Sequence, residues 1–195
     1  MSITIKAMSK KDEEARKEVI ARSATLVGKD ICPTCENFRT GGVYPNSQER
    51  IFYKDKLIIC LLEEYPRGVG HTILLSRKHY EDISEMPYDL GCHFVRISKA
   101  VVTVLKELTG AVKVYQVTMC SGAVNHLHFQ LIPRLSGDMM GGRVFSIPRS
   151  VLTDYRDTIP LLNVRLKKLL TDENFPSLRG ATNKVIQPTA KAAAD

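Results

Sequence analysis

The chain reads as an α+β protein: a mainly antiparallel five-stranded sheet with one long helix, plus an N-terminal helix and a C-terminal helical extension. Three observations lead there. Short apolar runs bounded by turn residues recur at 50–55, 56–64, 71–76, 112–119 and 124–134, as strands do. Leu90, Phe94, Ile97, Val101, Leu105 and Leu108 recur at threes and fours, which marks a long amphipathic helix. The strands cluster around that helix instead of alternating with several.

Taken in order, the elements have local reasons. Ser9 followed by Asp12 resembles a capping box, and residues 12–26 carry acids early and bases later, as a helix dipole prefers. Residues 28–46, rich in Gly, Pro, Asn and Thr, read as loop. Lys54 and Asp55 form the turn between the first two strands, and "YPRGVG" forms the next. Gly110 closes the long helix. In "VNHLHFQLIPR" apolar and polar residues alternate. Leu127, Phe129 and Leu131 therefore enter a core, while His126, His128 and Gln130 form a polar row spaced roughly 6.6 Å apart. Pro133, unable to donate to a ladder, ends that strand. Residues 135–142 are loop, and 150–170 read as one or two helices broken near Pro160. Residues 180–195 have too little apolar content to pack and read as disordered. No repeat or linker interrupts the pattern. The organisation is an N-terminal helical extension over 1–27, a central domain over 28–148, a C-terminal helical extension over 149–179 and a disordered tail.

Composition narrows the function classes. The chain has 195 residues, is 44% hydrophobic and 25% charged, and is large enough for one stable core with extensions. Its longest apolar run, "LIICLL", is too short to cross a bilayer, and the first residues lack a signal-peptide core. The expected location is the cytoplasm. A net charge of +7 fits a polyanionic partner without saying whether it is a nucleotide or a nucleic acid. Five cysteines without framework spacing point to free thiols or metal ligands.

Two constellations carry chemistry. The first is the polar row, which alone could be a solvated strand face. The second is "CPTC", with Cys32 and Cys35, which could be half of a tetrahedral zinc site, a redox dithiol or coincidence. A thioredoxin-type dithiol should follow a buried strand and open a helix, whereas Cys32 follows a polar run and precedes predicted loop. Cys60, Cys92 and Cys120 stand singly and read as small core residues. Further ligands would come from the five histidines: His71, His79, His93, His126 and His128.

The order "CPTC", then "GHTILLSRKH", then "NHLHFQLIPR" resembles the histidine-triad (HIT) superfamily of nucleotide hydrolases and transferases, over about residues 30–135. The third triad histidine is Gln130 here. That variant is similar to the branch containing galactose-1-phosphate uridylyltransferase and the diadenosine polyphosphate phosphorylases. The resemblance implies a HIT-like fold and a structural zinc held by Cys32, Cys35, His79 and His126. It also implies His128 as nucleophile toward an α-phosphate, with Gln130 donating a hydrogen bond to the reacting phosphate. Ser121, Gly122 and Asn125 occupy the place where relatives present phosphate donors, and Glu63 the place of the ribose-binding acid. The expected substrate is a nucleotide or dinucleoside polyphosphate, and the expected assembly a homodimer through the long helix and an edge strand.

Other residues have weaker claims. Ile51 and Phe52 are candidates to sandwich a base, or simply core. Arg67, Arg77, Lys78 and Arg134 are candidates for distal phosphates, or solvated surface. A competing class keeps the zinc and drops catalysis, leaving a basic nucleotide- or nucleic-acid-binding module. No RNP-like aromatic pattern, no Trp and no second zinc motif supports it.

Overall fold

The computed structural model describes residues 3–120, 122–172 and 175. In chain order these form β1 (Ile5–Ala7), α1 (Lys10–Val27), α2 (Pro33–Thr40), β2 (Ile51–Lys54), β3 (Ile58–Leu62) and β4 (Thr72–Ser76). Then come α3 (Tyr88–Thr109), β5 (Lys113–Val117), β6 (His128–Arg134), β7 (Ser150–Leu152) and α4 (Thr158–Thr171). The main sheet is antiparallel, in the order β2-β3-β4-β6-β5, and β1 pairs with β7 in a separate ribbon. The predicted class, five strands and one long helix with helices at both ends, is the observed one.

Local chemistry sets the connections. Asp55 accepts hydrogen bonds from the N–H groups of Leu57 and Ile58, turning β2 into β3. Between β3 and β4, Gly70 sits at a φ of 79°, and a Cβ there would meet Thr109 and Leu105 at 3.1 and 3.2 Å. Only glycine fits that crossing. Ser9 and Asp12 form the predicted capping box on α1, and Gly110 ends α3 in the left-handed conformation.

One face of the sheet is buried under helices. Ile58, Cys60, Leu62, Leu74, Phe129 and Leu131 meet Phe94, Ile97, Val101 and Leu105 of α3 and Leu162 and Leu166 of α4. Phe94 and Phe129 stack edge to face with centroids 4.8 Å apart. Each such side chain contributes about 1.5–3 kcal/mol by leaving water. Among the described residues no helix is long and apolar enough to cross a membrane.

Four expectations need correction. Residues 33–40 are helix α2, not loop. Pro33 occupies its first position, Cys32 caps it by accepting from the Cys35 N–H, and Gly41 closes it with a φ of 70°. The Cys-x-x-Cys pair therefore does open a helix. Residues 150–152 are strand, paired with β1 some 145 residues away in sequence. Pro160 does not break α4. It lies in the first turn, where its missing N–H has no intrahelical acceptor. Pro133 does not end β6, whose ladder runs to Arg134. Its β4 partnership stops at Leu131, and Pro133 faces Gly68 in the turn, where no ladder donor is needed. The predicted disordered tail lies outside the described residues.

Candidate active site and metal cluster

Strand register builds the open face of the sheet in rows. Ile59, Leu75 and His128 stand side by side across β3, β4 and β6, and Leu61, Ile73 and Gln130 form the next row. Alternation along each strand sends their neighbours to the helical core, so the apolar half of the predicted β6 pattern is as expected. These rows floor a cleft of about 330 Å³, walled by Arg16 and Val19 of α1, Thr34 and Phe38 of α2, Tyr44, and Arg149.

His128 is held in one tautomer. Its Nδ1 lies 2.8 Å from the His126 carbonyl, and a carbonyl only accepts, so Nδ1 carries a proton. The Gln130 amide nitrogen lies 3.4 Å from the His128 Nε2. An amide nitrogen only donates, so that Nε2 presents its lone pair toward Gln130 and the cleft.

His126 precedes the ladder and points elsewhere. It is buried, packs against Phe38 and His79, and its Nε2 donates to the Ser76 carbonyl at 2.7 Å. That bond leaves the Nδ1 lone pair facing the sulfurs of Cys32 and Cys35, each 3.5 Å away. His79 Nδ1 lies 3.5 Å from the Cys35 sulfur. The four ligand atoms all fall within 4.8 Å of one another. Tetrahedral bonds of about 2.3 Å to sulfur and about 2.0 Å to nitrogen put neighbouring S and N atoms about 3.5 Å apart. The donor set therefore fits a small tetrahedral ion. Burial, reinforced by the Cys32 sulfur, pushes the Cys35 thiol up to about 12, so ionising both thiols requires a compensating cation.

The far end of the cleft is polar in a different way. Glu63 accepts from the Tyr65 N–H at 3.3 Å and lies 3.6 Å from Arg149, while Glu64 pairs with Arg50 at 3.3 Å. His71, beside Glu63, is only 1% exposed, and its Nδ1 accepts from the Arg67 N–H at 3.2 Å. Burial pushes its pKa down to about 4, so the ring is neutral.

The remaining candidates are scattered. Asn125 spends its amide on the Glu81 carbonyl at 2.6 Å, and Gly122 is exposed at a φ of 113°; neither lines the cleft. Ser121 lies outside the described residues. Ile51 lines the cleft, whereas Phe52 belongs to the core. Arg77 bonds the Asp55 carbonyl, Lys78 lies over the Tyr80 ring and Arg134 bonds Leu135. Cys60 is buried as expected, but Cys120 is exposed, because it follows the end of β5. His93 is structural, donating to Asp55 at 2.7 Å. Arg16 and Arg149 went unnoticed in the sequence. Each sits in a segment with no motif, and only tertiary contact brings it to the cleft.

Comparison with known proteins agrees with this geometry. The HIT domain profile matches residues 45–137. An uncharacterised HIT-like protein of Methanocaldococcus jannaschii is 38% identical over 94 residues, spanning 46% of this chain and 71% of that protein. A second, from Borreliella burgdorferi, is 29% identical over 96 residues, spanning 46% and 68%. Among solved structures, a histidine triad family protein of Mycobacterium smegmatis superposes with a TM-score of 0.54 at 20% identity. That match covers 71% of this chain and 94% of that one. A hypothetical histidine triad nucleotide-binding protein of Sulfolobus tokodaii gives 0.54 at 21% identity, covering 71% and 93%. Sequence, sheet order and the placement of His128 on β6 converge: the chain belongs to the HIT family.

Proposed function

We propose that this protein is a nucleotide hydrolase or nucleotidyltransferase that acts at an α-phosphate through a covalent nucleotidyl-His128 intermediate. The observation that carries this is the tautomer lock on His128, with Nδ1–H on the His126 carbonyl and the Nε2 lone pair facing the cleft beside Gln130. In the first step Nε2 attacks phosphorus, an N–P bond forms, and the P–O bond to the leaving group breaks with its electron pair. The proton on Nδ1 stays, and the His126 carbonyl stabilises the imidazolium that results. In the second step the oxygen of water, phosphate or another acceptor attacks phosphorus. The N–P electron pair returns to Nε2, and the acceptor's proton is released.

Gln130 selects the leaving group. An amide donates a hydrogen bond but cannot deliver a proton at neutral pH. Leaving groups that depart as stabilised anions, such as phosphates or nucleotides of a dinucleoside polyphosphate, suit this site. Amines do not. Glu63, at the cleft's far end, accepts the ribose hydroxyls.

The Cys32, Cys35, His79 and His126 cluster holds zinc in this scheme, as the donor set and spacing suit. The Mycobacterium smegmatis neighbour is described as Zn-bound. Zinc would supply structural cross-linking, tying α2 to the segment leading into β6. A homodimer would use the exposed Tyr88 and Val95 of α3 and the β5 edge, and light scattering reads it directly.

Mass spectrometry of protein quenched after mixing with a dinucleoside polyphosphate tests the mechanism. The expected result is a nucleotidyl adduct on the His128 peptide. An adduct on another residue, or turnover undiminished in His128→Ala, overturns it.

A further inference from the structure

We propose that the far end of the cleft binds a second phosphoryl group, carried on the ribose 2′- or 3′-oxygen of the nucleotide whose α-phosphate meets His128. This deepens the nucleotide assignment above and rests on it. The preferred substrate would then contain a nucleoside bisphosphate unit: a phosphorylated small nucleotide, or the 5′ end of a nucleic acid.

Charge is the first reason. Arg16, Arg67 and Arg149 gather round one carboxylate, Glu63, while the nearby Glu64 is paired with Arg50. Arg16, from α1, lines the cleft and has no hydrogen bond or ion pair among the described residues. Arg149 lines it too, and gives one nitrogen to the Tyr65 carbonyl at 2.8 Å, while Arg67 gives one to Ile147 at 2.8 Å. Of the guanidiniums that line the cleft, Arg149 also has an Nε that is buried without a hydrogen-bond partner. Burial and the neighbouring guanidiniums together outweigh Glu63 and lower the pKa of Arg149 and Arg67. A partly desolvated cluster of like charges with idle donors is costly in the free protein and favourable once an anion arrives.

Position is the second reason. Glu63 and His71 stand two rows along the strands from His128, roughly 13 Å by strand rise. A nucleotide with its α-phosphorus at Nε2 and its one free ribose hydroxyl at Glu63 presents its phosphorylated 2′ or 3′ oxygen to Arg149, 3.6 Å from that carboxylate. These guanidiniums stand at the Glu63 end of the cleft, two rows from His128, where the ribose is assigned. An anion bound there would be attached through the ribose.

Calorimetric titration of the full chain with AMP, adenosine 3′,5′-bisphosphate, adenosine 2′,5′-bisphosphate and the dinucleotide pApA tests this. At least one bisphosphate should bind about tenfold or more tightly than AMP, from one to two added charged hydrogen bonds. That advantage should shrink in Arg16→Gln and Arg149→Gln, with thermal melts reporting that each variant folds. An equal gain with pApA identifies a nucleic acid 5′ end as the source, and a gain confined to monoesters a small nucleotide. Equal affinity for AMP and every other ligand, or an advantage untouched in both variants, overturns the inference and leaves the nucleotide assignment standing. Failure of all of them to bind overturns both.

Discussion

The two faces of the sheet are made by the same strands, one residue apart, and they close by different physics. On the helical side Phe129 and Leu131 are sealed under Phe94, Leu105, Leu162 and Leu166. On the other side His128 and Gln130 look into a cleft whose covering helix α1 has no buried residue. What holds that cover is polar. Arg22 of α1 bonds the carbonyls of Gly42 and Val43, Asn37 of α2 accepts from Val43 and Tyr44, and the thiol–imidazole cluster ties α2 to His126. Hydrophobic burial gives one face its stability, and directional bonds leave the other face room for a ligand.

The largest effect should come from the cluster. Structural zinc in small domains contributes on the order of 10 kcal/mol of binding free energy. Chelation, or Cys35→Ser, should strip the metal and lower the melting temperature by many degrees. Metal-free protein with an unchanged melt would end the idea that the cleft face is cross-linked rather than packed.

Neighbouring residues on β6 should then separate chemistry from stability. His128→Ala should cut turnover by roughly a thousandfold or more while the melt barely moves. Phe129→Ala should do the reverse, losing about 3–5 kcal/mol of stability for the cavity left under Phe94. Urea titrations beside steady-state rates read both. Comparable damage to stability from the two changes would erase the distinction between the faces.

Gln130→His is a smaller change within the cleft. An added imidazolium can protonate an amine, so hydrolysis of a nucleotide phosphoramidate should rise by about ten- to a hundredfold. A wild type that already prefers the phosphoramidate would contradict the role given to the amide.

The smallest effect lies at the β2–β3 turn, where α3 docks. Burial opposes ionisation of Asp55, but hydrogen bonds from His93, the Leu57 and Ile58 N–H groups and the Tyr53 hydroxyl outweigh it. They hold the carboxyl well below the usual range. A carboxyl whose pKa is lowered by folding contributes stability that is full above its unfolded-state value and lost as the pH falls below it. Asp55→Asn should therefore cost about 1–3 kcal/mol at about pH 7, and the gap from wild type should narrow steadily below about pH 4. A gap independent of pH would assign the loss to the turn's shape alone.

Much of this was legible without coordinates. The α3 stripe, the alternation of Leu127, Phe129 and Leu131, the Ser9 cap and the Gly110 stop are local patterns. Each follows from one helical or strand period or from one terminal residue's hydrogen bonds. Helix α2 was missed because Gly, Pro and Asn on its flanks read as loop, while Pro33 and Gly41 were in fact its start and stop. The strand at 150–152 was missed because three residues carry no period, and its partner β1 stands at the other end of the chain.

By itself the sequence determined the class of fold, the face each β6 residue takes and, through resemblance, the residues to watch: Cys32, Cys35, His79, His126, His128, Gln130 and Glu63. Only the tertiary structure decided which of these meet. The resemblance already divided His126 from His128, and the structure supplies the contacts: the Ser76 carbonyl and the thiols for one imidazole, the His126 carbonyl and the cleft for the other. It also brought Arg16 and Arg149, 133 positions apart in the chain, to one end of that cleft. Secondary structure follows from a residue's near neighbours, but a site follows from which distant segments the packing of the core forces together.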